Sequence, residues 1–320
     1  MSKNAETEHP KSSEEYLAAK KARRRRRRKR VGVALLVLLA VGVILHWPIK
    51  TELKPGPDTT VITGPLNEDG TVDYVAYLNQ KYSEGVTPDN NAAVLIVRAL
   101  GAEALLLDDE ETRRRILCAL GMTDLPDEAN CFVTFDDWLQ SKSLVLQRSD
   151  GSEACPDDLL EEAVSDPWTA PACPVLTQWL EANAQPLDDL VEASRRERYY
   201  MPHLPRTDPS EMLELSGSNV LLLRYMVHAL TARSMLHLGH GDVKAAWQDA
   251  FAAQRLGRLM MQDWLTSACL IANRIESFGA KAATRVAVAG DLSLAEAKGM
   301  LADLQSLPLA PDACSPVENE

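Results

Sequence analysis

The stretch "SNVLLLRYMVHALTARSMLHLGHGDVKAAWQDAFAAQRLGRLMMQDWL", Ser218 to Leu265, decides the fold. From Ser218 to Gly239 apolar residues recur at intervals of three and four, the spacing that lines one face of a helix. That periodicity predicts an amphipathic helix stopped by Gly239. A second helical run starts after Asp242, a residue whose side chain suits an N-cap. Helix, glycine turn and helix make an antiparallel hairpin. Toward the C-terminus, "TSACLIANRIESFGAKAATRVAVAG" continues the helical pattern to Gly290. "SLAEAKGMLADLQSLP" then opens with a capping box, Ser293 with Glu296 three positions on, and closes at Pro308. Toward the N-terminus, residues 122–218 are rich in Pro, Asp and Cys and predict short helices near 134–146, 156–165, 173–183 and 186–197. Three earlier helices are read in "DDEETRRRILCALG", in "PDNNAAVLIVRALG" with Asp89 or Asn90 as N-cap, and in "VDYVAYLNQKYSEG". Alternation with period two is missing over useful lengths, so the expected class is all-α: an irregular helical domain of antiparallel hairpins over residues 72–308.

Charge divides the chain sharply. Residues 1–50 hold 13 Lys and Arg against 4 Asp and Glu, whereas the rest hold 21 basic against 42 acidic residues. The basic excess is concentrated in Arg23, Arg24, Arg25, Arg26, Arg27, Arg28, Lys29 and Arg30, directly before the apolar run Val31–Ile49. Those 19 residues would form about 28 Å of helix at roughly 1.5 Å per residue, close to a hydrocarbon core of roughly 30 Å. A cleaved signal fits less well, because 30 residues precede the run and no A-x-A site follows it. The expected organisation is a basic cytoplasmic tail at 1–30, a transmembrane helix at 31–49, a Pro/Gly linker at 50–71, the helical domain at 72–308 and a disordered tail at 309–320. Basic residues flanking a span stay cytoplasmic, so the main domain is expected outside the cytoplasm. Nucleic-acid binding is not expected: the body is anionic, and no aromatic residue interrupts the arginine block for base stacking.

Six cysteines are present and none forms a C-x-x-C pair. Outside the cytoplasm, pairing of Cys118 with Cys131 and of Cys155 with Cys173 would staple the irregular middle of the chain. Cys269, on an alanine-rich helix, reads as a buried thiol. His228, His237 and His240 lack the spacing of a metal motif and read as helix-surface or capping residues. The runs Asp108–Glu111, Asp157-Asp158 and Glu161-Glu162 read as helix starts favoured by the dipole. Arg255 and Arg258 share a helix face, with Trp247 and Asp249 earlier on it, and form a candidate interaction face for an anionic partner; pairing with nearby carboxylates is the competing reading. No G-x-S-x-G, P-loop or dinucleotide fingerprint occurs, and no cofactor is expected.

"ARSMLHLGHGDVKAAWQDAFAAQRL" resembles one tetratricopeptide-type hairpin, through Gly241, Val243, Ala246 and Ala253, although Leu230, Arg233 and Ser234 depart from that family's first helix. The turn at Gly290-Asp291-Leu292 repeats the pattern 49 residues later rather than 34. The segments "GVTPDNNAAVLIVRALG", "RRERYYMP" and "AAWQDAFAAQRLGRLMMQ" resemble a group of membrane-anchored helical proteins of planctomycete bacteria. That resemblance implies location and helical architecture and assigns no catalytic residue. The expected function is a membrane-anchored extracytoplasmic interaction or scaffold protein with a protein partner in the cell envelope. An extracytoplasmic hydrolase with dispersed catalytic residues is the alternative. A deep pocket joining carboxylates or histidines from distant segments would favour the hydrolase, and a broad groove the module.

Overall fold

The structure, a computed structural model, describes residues 62–101, 110–127, 130–146, 154–204 and 217–308, together with Lys21. The expected basic tail apart from Lys21, the transmembrane helix at 31–49, the linker up to residue 61 and the tail at 309–320 lie outside the described residues. Among the described residues no helix is long and apolar enough to cross a membrane.

Eleven helices run through the described residues: α1 Tyr74–Tyr82, α2 Ala92–Leu100, α3 Glu110–Ala119, α4 Phe135–Ser141, α5 Pro156–Ser165, α6 Pro174–Ala182, α7 Ala184–Ala193, α8 Gly217–Gly239, α9 Val243–Met260, α10 Thr266–Ala289 and α11 Leu294–Gln305. Extended pairing among them is limited to two isolated bridges, Leu66 with Val72 and Asn91 with Arg198. The domain is all-α. Its compact unit begins at Thr63. The chain between Pro65 and Asp73 already folds back on itself, the Asp73 amide donating to the Pro65 carbonyl at 2.8 Å over a buried Val72.

α8 is the axis. Leu223, Met226, Val227, Ala229, Leu230, Ala232 and Met235 are all buried, because α5, α9 and α10 cover it from several directions. The spacing predicts an amphipathic helix with one apolar face; covered by three helices, α8 instead carries apolar residues around most of its circumference. The hairpin turn after it needs a left-handed residue, and Gly241 supplies φ of 80°. Asp242 then caps α9 by accepting from the Ala245 amide at 3.0 Å. α9 and α10 pack backbone to backbone at two glycines. A β-carbon on Gly257 would lie 2.4 Å from the Glu276 nitrogen, and one on Gly279 would lie 2.3 Å from the Gln254 nitrogen. The capping box of α11 forms between Ser293 and Glu296.

In the first half, polar side chains join distant segments. Asn91, rather than Asp89 or Asn90, caps α2: its Oδ1 accepts from the Ala93 and Tyr200 amides at 3.1 and 3.0 Å, while its Nδ2 donates to the Tyr200 carbonyl at 2.9 Å. Asn90 instead closes the preceding turn, accepting from the Thr87 amide at 2.8 Å.

No disulfide joins Cys118 to Cys131 or Cys155 to Cys173. Cys118 is exposed on α3, whereas the Cys131 thiol turns inward over Gly101 and toward the Asp127 carbonyl. Cys155 and Cys173 sit at the N-caps of α5 and α6, each followed by Pro, and no bridge joins them. The stapling expected of these cysteines falls to hydrogen bonds. Trp179 Nε1 and Asn183 Nδ2 both donate to the Val133 carbonyl, at 2.9 and 3.1 Å, and Asn183 Oδ1 accepts from the Val133 amide at 2.9 Å. Cys269 is half-buried; its thiol donates to the Asp263 carbonyl at 3.2 Å, and burial pushes its pKa up.

Candidate functional site

Three helices enclose a cavity of about 720 Å³. α5 contributes Asp157, Leu160, Glu161 and Val164; α8 contributes Arg224, Tyr225, His228 and Thr231; α10 contributes Arg274, Phe278, Lys281, Thr284, Arg285 and Val288. On each helix these positions recur at three- and four-residue spacing, so each helix presents one stripe to the cleft.

The charge on the walls is segregated, with carboxylates on α5 and cations on α8 and α10. Among the described residues Arg224, Arg274 and Lys281 form no ion pair, and neither do Asp157 and Glu161. Arg285 differs, since it is tethered at the rim by the Ser165 carbonyl at 2.9 Å and by Asp166 at 2.8 Å. Aromatic rings flank two of the arginines. Arg274 lies 4.8 Å over the Phe278 ring and Arg224 5.4 Å over Tyr225. His228 meets Phe278 edge to face at 4.3 Å. Burial pushes the His228 pKa down to about 4, and the Arg224 and Arg274 charges push it the same way, so the ring is neutral at neutral pH. His228 Nε2 and Arg224 Nε are buried and make no hydrogen bond.

The serine and threonine hydroxyls of the cleft are committed to helix carbonyls. Ser165 donates to Glu161 at 2.8 Å, Thr231 to Val227 at 3.0 Å and Thr284 to Ala280 at 2.8 Å. Thr231 also donates to the His228 carbonyl at 2.9 Å, and none of these hydroxyls bonds the His228 ring. The cleft therefore offers charges and hydrogen-bond donors, with no serine or threonine hydroxyl organised for nucleophilic attack.

The residues singled out from sequence go elsewhere. Trp247 is buried, stacks on Phe251 and donates its indole proton to Asp303 at 2.8 Å. Arg258 pairs with Glu276 and donates to the Pro308 carbonyl at 2.7 Å. Arg255 lies 5.8 Å over the Phe251 ring. Trp247 and Arg258 are thus engaged inside the fold. The three helix histidines separate: His228 enters the cleft, His237 Nε2 lies 3.7 Å from Asp249, and His240 Nε2 accepts from the Ala170 amide at 3.3 Å. No group of three or more His, Cys, Asp or Glu gathers to hold a metal among the described residues.

Two further ionisable pairs serve packing. Arg233 holds Asp249 with two bonds of 2.8 and 2.9 Å and reaches Asp188 at 2.8 Å, tying α7, α8 and α9 together. His203 and Asp263, both buried, meet at 3.1 Å. Sequence reading missed the cleft. Its one local signal was the stripe Arg274, Lys281, Arg285 on a single helix face; the opposing acids gave no sign that they face it.

No family model, curated protein or solved structure matches the chain.

Proposed function

We propose that this chain is a membrane-anchored helical binding module whose domain works outside the cytoplasm, with a protein of the cell envelope as its partner and the α5/α8/α10 cleft as its recognition site. The observation that carries the choice of binding over catalysis is the cleft's combination of charges outside any ion pair with serine and threonine hydroxyls tied to their own helices. The hydrolase alternative has one point in its favour, since the cleft joins carboxylates and a histidine from two distant segments. Against it, a histidine with its pKa near 4 is a weak base at neutral pH, and the serine and threonine hydroxyls beside it are tied to their own helices. Anchoring and orientation rest on the arginine block beside Val31–Ile49.

The test uses the full chain with a C-terminal tag. Protease added outside intact spheroplasts should digest the domain, and detergent extracts should yield one envelope protein that recovers this chain when it is itself tagged. A protected domain, or capture that fails in the reciprocal direction, overturns the proposal.

A further inference from the structure

We infer that the α5/α8/α10 cleft binds a small dipolar ligand, a free amino acid or short peptide, with its carboxylate held by Arg224 and Arg274 and its ammonium facing Asp157 and Glu161. This rests on reading the cleft as a binding site.

Carboxylates on α5 face cations on α8 and α10 across one cavity, yet none of Asp157, Glu161, Arg224, Arg274 and Lys281 is in an ion pair among the described residues. Arg285 bridges α10 and α5 at the rim, to Ser165 and Asp166, but no ion pair forms among those five residues. A simple anion would satisfy the arginines while facing two carboxylates of its own sign, and a simple cation would meet the reverse problem. A ligand carrying both charges, separated by a short spacer, satisfies both walls at once.

Geometry supplies the details. Arg224 and Arg274 each lie over an aromatic ring, a cation–π contact that restricts the guanidiniums before a ligand arrives. Arg224 Nε and His228 Nε2, one turn apart on α8, are unsatisfied polar atoms on the wall assigned to the carboxylate. A neutral imidazole protonated at Nε2 adds a donor there without adding charge. Leu160, Val164 and Phe278 give the same cavity an apolar lining, which suits a ligand with a hydrophobic side chain. The volume of about 720 Å³ lies in the range of small-molecule sites. Arg285 is held by Ser165 and Asp166 and contributes little to recognition.

Isothermal titration of the detergent-solubilised full chain tests this. The probes are phenylalanine and the dipeptide alanyl-phenylalanine; the controls are N-acetyl-phenylalanine, phenylalanine amide and inorganic phosphate. At least one zwitterion should bind saturably, with blocking either end or substituting phosphate weakening binding tenfold or more. Arg274→Met should weaken the zwitterion tenfold or more and leave the amide unchanged, and Asp157→Asn should leave the acetylated probe unweakened. Glu161→Gln provides a second variant on the acidic wall, and each variant is scored only if its circular dichroism and melting match the parent. The inference is overturned if a blocked probe binds as tightly as the zwitterion, if phosphate binds tighter, or if neither zwitterion binds at millimolar concentration. Zwitterion binding without an envelope partner would sink the module proposal alone. Capture of a partner with no zwitterion binding would sink this inference alone.

Discussion

Protonating His228 would place a further positive charge beside Arg224 and Arg274 at a largely buried position, and the fold resists it. The unfolded chain, with an ordinary histidine pKa near 6.5, takes up that proton first as pH falls. Between about pH 6.5 and 4 the unfolded state therefore binds more protons, so the stability that depends on a neutral His228 is complete above about 6.5 and is lost as pH drops toward 4. A shift of this size corresponds to at most about 3 kcal/mol. His228→Gln should flatten stability across that window, read from urea midpoints at pH 7 and pH 4.5; an unchanged pH slope would assign the acid sensitivity to other groups. Asp249 tests the opposite case, a carboxylate that burial penalises and that Arg233 holds with two bonds. Asp249→Ala leaves a mostly buried guanidinium with the exposed Asp188 as its remaining carboxylate and should cost up to about 3 kcal/mol, while replacing Arg233 and Asp249 together by Met and Leu should cost far less. A double variant as unstable as the single one would show that the pair contributes more than mutual neutralisation.

At the scale of elements, two glycines that look alike in sequence have opposite consequences. Gly279 faces the α9 backbone, and a methyl group there would sit 2.3 Å from the Gln254 nitrogen, where no side chain can move aside. Gly279→Ala should cost about 2–3 kcal/mol by forcing α9 and α10 apart. Gly299, exposed within α11, has nothing within 4 Å of its added methyl, so Gly299→Ala should gain about 0.5–1 kcal/mol from helix propensity. Thermal melts of the two variants should move in opposite directions. This contrast marks the boundary of what sequence reveals. Helix starts governed by local chemistry were legible, as at Asp242 and in the Ser293–Glu296 box. The α2 cap was not, because Asn91 is selected over Asp89 and Asn90 by its bonds to Tyr200, 109 residues away. The cleft was hidden for the same reason. Asp157, Arg224 and Arg274 are each ordinary residues of helix faces, and only the packing of α5 and α10 around α8 brings them together.

Taken whole, the chain is an electrical dipole along its sequence, strongly basic before residue 51 and strongly acidic after it. An acidic body gains nothing from anionic lipid headgroups, whereas eight consecutive basic residues, Arg23–Arg30, adjoin the apolar run and, in the proposed topology, set its direction. The described domain supplies its own reporters of that direction, since Cys118 and Cys155 are exposed thiols outside any disulfide. A membrane-impermeant maleimide should label both in intact spheroplasts expressing the full chain, as read by peptide mass. Replacing Arg23–Arg30 with serine and adding four arginines after Lys50 should suppress that labelling until the membrane is permeabilised. Charge on short flanks, and not the net charge of the large domain, decides orientation in this account. Labelling that survives the exchange would place the determinant in the acidic body instead, and the basic block would then be released from its role in topology.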